Sequence, residues 1–162
     1  MTTAATTPEY THTQKAPLCL ILYVSALVCF VLVWLVGDTP GIVIGGGVGL
    51  LFALLGPCFH HLTVEGQGEV LAIRFGPVPL FRRPVRYADI GSVEVGRTLL
   101  LDGWGIHLSV RGGWVWNLWG RACVAVHFTN GSVLRIGTDD AENLARFLEY
   151  RTGTCATPSP LT

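Results

Sequence analysis

Residues 17–36, PLCLILYVSALVCFVLVWLV, and residues 41–59, GIVIGGGVGLLFALLGPCF, decide the fold. Neither run contains Asp, Glu, Lys, Arg or His, and only Gly37-Asp38-Thr39-Pro40 lies between them. The hydrocarbon core of a bilayer takes about 20 helical residues to cross, and each run has that length. A helix that is apolar on every side has no face to turn to water, and so short a connector can only reverse the chain. The pair predicts a membrane-embedded helical hairpin over 16–59, with spans at 17–36 and 41–59. A flexible N-terminal tail is expected over 1–15, a folded domain over 60–151 and a flexible C-terminal tail over 152–162.

The first span is expected to stay uncleaved. Its apolar stretch exceeds the 7–15 residues of a signal peptide, no small-x-small cleavage site precedes Asp38, and a second span follows at once. Two spans put both termini on one side. The connector carries Asp38 and no cation, whereas Lys15 precedes the hairpin and Arg74, Arg82, Arg83 and Arg86 follow it. Cations are retained in the cytoplasm, so both termini and the domain are placed there. His60 and His61 fit a headgroup-level boundary.

Gly41, Gly45, Gly49 and Ala53 recur every four residues and form one small-residue stripe on the second span. Such a stripe lets another backbone approach closely. The first span is the nearest candidate neighbour, and a second copy of the chain is the other. These glycines are no dinucleotide loop, because no strand precedes them.

Lys plus Arg and Asp plus Glu each total 11, for a formal net charge of zero. That balance lacks the basic surplus of a nucleic-acid binder. Cys19, Cys29, Cys58, Cys123 and Cys155 form no CxxC pair and no metal-like spacing, and all five read as reduced, structural thiols. The histidines fall in no HxxxH or HExxH pattern, and there is no GxSxG elbow and no P-loop. No catalytic residue, metal or cofactor is expected.

Beyond His61 the pattern changes to short alternating runs divided by turn residues. Residues 62–65 and 70–75 read as a hairpin around Gly66-Gln67-Gly68. Residues 81–87 are extended, with Pro84 favouring an edge. Runs at 90–95, 104–110 and 114–118 follow, then 122–128 and 133–136 around Asn130-Gly131, the strongest hairpin signal in the chain. Asn130-Gly131-Ser132 also matches a glycosylation sequon, which a cytoplasmic turn explains more simply. Asp139 reads as an N-cap with Glu142 at the third helical position, and Ala141, Leu144, Ala145, Phe147 and Leu148 line one helical face. The expected fold is thus a two-helix transmembrane hairpin followed by a mainly-β barrel or sandwich of about seven strands, capped by one C-terminal helix.

The order 83–93 (RPVRYADIGSV), Gly103-Trp104-Gly105-Ile106, Asn130-Gly131 and Ile136-Gly137-Thr138-Asp139-Asp140 resembles the bacterial pleckstrin-homology-like membrane proteins. The resemblance covers about Pro17 to Arg151. It departs where relatives carry Pro after the Asp pair and this chain has Ala141. It implies one or more spans preceding a PH-like domain in a bacterial inner membrane, and gives a fold and topology more than an activity.

Two clusters stand out as candidate sites. Arg82, Arg83 and Arg86 could meet anionic headgroups, at about 1 kcal/mol each near a charged surface, or form a solvated strand face paired with Asp89 and Glu94. Trp104, Trp114, Trp116 and Trp119 crowd into a short segment. Some fill the core, while Trp116 and Trp119 are the expected exposed candidates for an interface. The functional expectation is a non-enzymatic, membrane-anchored PH-like interaction module that binds an unidentified protein partner or docks on the bilayer. Alternatives are an anionic-lipid sensor using the arginines and an accessory subunit of a membrane transporter or enzyme complex, with homo-oligomerisation open through the second span.

Overall fold

The computed structural model describes residues 10–78, 80–98 and 103–153. Helix α1 spans Leu18–Val36 and α2 spans Thr39–Leu55, continued by a 3-10 turn over Gly56–Phe59. Both helices are long and apolar enough to cross a membrane. The reversal between them is built from local chemistry. Gly37 ends α1 in the left-handed region at φ 67°, a conformation that costs glycine nothing, and its N–H donates to the Val33 carbonyl. Asp38 then caps α2, its carboxylate accepting from the Gly41 N–H at 3.2 Å.

Nine strands are present among the described residues, in two sheets. The first sheet is antiparallel, in the order β1 (Thr11–Lys15), β2 (His61–Gln67), β3 (Val70–Phe75) and β4 (Arg82–Arg86). The second contains β5 (Ile90–Arg97), β6 (Gly105–Leu108), β7 (Trp114–Asn117), β8 (Ala122–Phe128) and β9 (Val133–Gly137). Its order is β5-β8-β9-β7-β6, and β7 runs parallel to β9. Helix α3 (Ala141–Thr152) packs Leu144, Ala145, Phe147 and Leu148 into the core that both sheets share.

Strand β1 corrects the expected flexible tail. Residues 11–15 pair with β2 along their whole length, from Thr11 opposite Glu65 to Lys15 opposite His61. The helical hairpin is therefore inserted between two adjacent strands of one sheet. The inward positions of β1 are His12 and Gln14 rather than apolar residues, so hydrophobic alternation gives no sign of a strand there. Gln14 is buried and donates from Nε2 to the Trp119 carbonyl at 3.1 Å.

The start of α3 also differs. Asp140, not Asp139, occupies the N-cap, and its side chain makes no capping bond. Its carboxylate accepts instead from the Tyr10 hydroxyl at 3.3 Å and from the Asn143 side-chain amide. The C-terminal tail expected over 152–162 lies outside the described residues from position 154 onward.

Candidate functional site

The small-residue stripe of α2 packs on α1 most closely at Gly45 and Gly49. A Cβ on Gly45 would meet Val33 at 2.8 Å, and one on Gly49 would meet Phe30 at 3.0 Å and Cys29 at 3.1 Å. Gly41 lies mainly against its own cap, Asp38, with Val36 of α1 3.8 Å from where a Cβ would stand, and Ala53 is half-buried. Gly56, not part of the expected stripe, packs against the Tyr23 ring. Gly46 and Gly47 have open space where a side chain would go.

The three arginines of β4 do not form one cluster. Pleating sends alternate residues to opposite faces, so Arg82 and Arg86 point outward with Pro84, while Arg83 shares the inward face with buried Val85. Burial lowers the proton affinity of Arg83. An inward charge on an edge strand opposes pairing with another chain. No ion pair joins these arginines to Asp89 or Glu94 among the described residues; Glu94 lies 3.4 Å from His127 instead.

Strand register assembles a different set of cations on the outer face of the first sheet. Lys15 lies opposite His61 on the row nearest the hairpin. On the next row Thr13, Thr63, Arg74 and Arg82 follow one another across all four strands. Arg74 and Arg82 are thus directly opposed like charges, an arrangement that destabilises a sheet. Arg74 is also ion-paired with Glu65. Burial lowers the proton affinity of His61, and the charges of His60, Lys15 and Arg74 lower it further.

Beside this face, the β3–β4 loop is fastened to the hairpin exit. The Gly76 N–H donates to the His61 carbonyl at 2.6 Å. A Cβ on Gly76 would collide with the carbonyls of Pro57 and Cys58, so the close approach requires glycine. Phe81, at the far end of the loop, packs on Phe59 with ring centroids 5.6 Å apart. Val78 and Leu80 remain 51% and 64% exposed.

The tryptophans separate by position on the second sheet. Trp116 is a correction: it is buried at 7% exposure, packed against Phe75, because β7 is flanked by β6 and β9 and its end lies over the core. Trp119 is half-buried and stacks on Trp104 at 4.1 Å. Trp114 is exposed at the other end of β7, near exposed Leu108 and Val110.

Sequence reasoning missed a polar cluster between β1 and α3. His12 Nε2 lies 2.6 Å from Asp139 Oδ1, and Asp140 receives the Tyr10 hydroxyl. Burial, then the Asp140 charge, pushes the Tyr10 phenol above its ordinary value. These contacts latch the first strand to the last helix. Only the threonines at Thr11 and Thr13, favourable in strands, signal β1 in the sequence. Among the described residues no three His, Cys, Asp or Glu side chains gather as a metal site. No protein-family model and no curated protein matches the chain.

Proposed function

We propose that the chain is a non-enzymatic membrane protein of the PH-like type, in which α1 and α2 span a bacterial inner membrane and hold the mainly-β domain against its cytoplasmic surface. The observation that carries this reading is the pairing of Lys15 with His61 on either side of the hairpin. Both ends of an apolar hairpin run directly into one sheet, with no linker that would let the domain leave the bilayer. The cationic residues on the domain side, against Asp38 alone in the connector, support a cytoplasmic domain. The uncharged interior of the hairpin offers no ion path, which supports an anchor over a transporter. The domain is then an interaction module whose exposed surfaces face the membrane and the cytoplasm.

Alkaline carbonate extraction and protease access test the reading together. The protein should stay with the membrane at high pH, and a C-terminal tag should be cleaved in inverted vesicles but protected in spheroplasts. Extraction by carbonate, or cleavage in spheroplasts alone, would overturn the anchor or the orientation.

A further inference from the structure

We infer that the outer face of the first sheet at its hairpin end, formed by Lys15, His61, Arg74 and Arg82 and bordered by Val78 and Leu80, is a binding site for anionic phospholipid headgroups. This deepens the membrane-anchored reading and rests on it.

Three observations converge. The register puts Arg74 directly opposite Arg82, and Lys15 opposite His61 one row nearer the hairpin. Glu65 offsets one of these charges through Arg74. Lys15 and Arg82 have no ion-pair partner among the described residues. A sheet that opposes two arginines pays an electrostatic cost, and an anion bridging them reverses its sign.

The position of this face selects the anion. Lys15 and His61 lie two or three residues from the ends of the apolar hairpin, which places the face at headgroup level when the hairpin is inserted. The adjoining loop exposes Val78 and Leu80 while its base is held against Pro57 and Cys58 at the end of the second span. Exposed apolar side chains beside a cationic face suit the boundary between headgroups and acyl chains. The cytoplasmic leaflet carries the anionic lipids that attract juxtamembrane cations. Thr13 and Thr63 share a hydrogen bond of 2.9 Å on the Arg74–Arg82 row, which leaves one of their two O–H groups free to donate to a phosphate oxygen.

The test uses the full chain in a zwitterionic detergent, titrated separately with short-chain phosphatidylglycerol, short-chain phosphatidylcholine and inorganic phosphate. Phosphatidylglycerol should bind more tightly than the other two, and its affinity should fall as salt is raised. Arg82→Gln and Lys15→Gln should each weaken phosphatidylglycerol binding about fivefold, the factor corresponding to about 1 kcal/mol per cation. Arg111→Gln, in the β6–β7 turn away from this face, should leave it unchanged. Equal binding of phosphatidylcholine, or unchanged affinity in a folded variant of either cation, overturns the proposal. Phosphate binding as tightly as phosphatidylglycerol assigns the site to a soluble anion and overturns it too. Carbonate extraction of the same protein reports separately on the anchor, so loss of lipid selectivity with retained membrane insertion defeats this inference alone.

Discussion

Lys15 and His61 face each other across β1 and β2, and the whole helical hairpin lies between them in the chain. This pairing makes the hairpin and the domain mechanically continuous, because each helix end passes into a hydrogen-bonded strand within a few residues. It also makes the N-terminal strand part of the folded domain.

Removal of residues 1–15 should therefore unfold or aggregate the domain rather than trim a tail. The deletion strips β2 of one of its two partners and leaves the backbone groups on that side as an open edge. It also removes the Gln14 bond to the Trp119 carbonyl and the His12 contact with Asp139. Gln14→Ala alone should cost about 0.5–1.5 kcal/mol, the net contribution of the lost bond to the half-buried Trp119 carbonyl. Thermal unfolding and size-exclusion chromatography in detergent measure both effects. A truncated chain that stays monodisperse with an unchanged midpoint would count against a structural β1.

The helix seam makes a contrasting pair of substitutions informative. Gly49→Leu drives a side chain into Phe30 and Cys29, and should destabilise the hairpin by about 1–3 kcal/mol through overpacking. Gly46→Leu meets open space and should be tolerated. Thermal unfolding of the two variants in the same detergent separates them. Equal effects would mean that the α1–α2 contact at Gly49 is not the one that holds the hairpin.

The contrast between these two regions explains what could be read from the sequence. The hairpin was legible because two uncharged runs and a Gly37-Asp38 reversal each have one physical solution. Strands β2 to β9 and α3 announced themselves through alternation, Asn130-Gly131 and the helical face ending at Leu148. Strand β1 was silent because its inward residues, His12 and Gln14, are polar, and the groups they bond, Asp139 and the Trp119 carbonyl, lie far away in sequence. The arginines misled for a related reason. Adjacency along β4 groups Arg82, Arg83 and Arg86, whereas pleating expels Arg83 and pairing recruits Arg74 and Lys15 from other strands. Trp116 reads as an outward residue in the sequence because a short run does not reveal that its strand lies inside a sheet.

The domain should lose stability on mild acidification, and His61 should contribute to that loss. Its proton affinity in the folded chain lies below the ordinary histidine value of about 6.5, owing to burial and then to His60, Lys15 and Arg74. Glu65 is the carboxylate on the same face, and it is engaged by Arg74. Above about pH 6.5 the ring is neutral in both states and its contribution to stability is complete. As pH falls below that, the unfolded chain takes up a proton that the folded chain resists, so stability drops until the folded value is passed. Unfolding midpoints of the wild type and His61→Gln at pH 7.5 and 5.5 check this. The fall should be smaller in the variant, and an equal fall would remove His61 from the account.

Arg82→Glu sets stability against lipid binding. It replaces the opposed Arg74–Arg82 pair by an opposite-charge pair on the same row, which should stabilise the sheet by about 0.2–1 kcal/mol. The unfolding midpoint in zwitterionic detergent should therefore rise. Reversing the charge removes one cation from the headgroup face and adds an anion, so phosphatidylglycerol affinity should fall further than in Arg82→Gln. The two measurements moving in opposite directions in one variant would assign Arg82 to binding. A midpoint that falls together with affinity would make Arg82 a structural residue and remove the reason for an anion at that row.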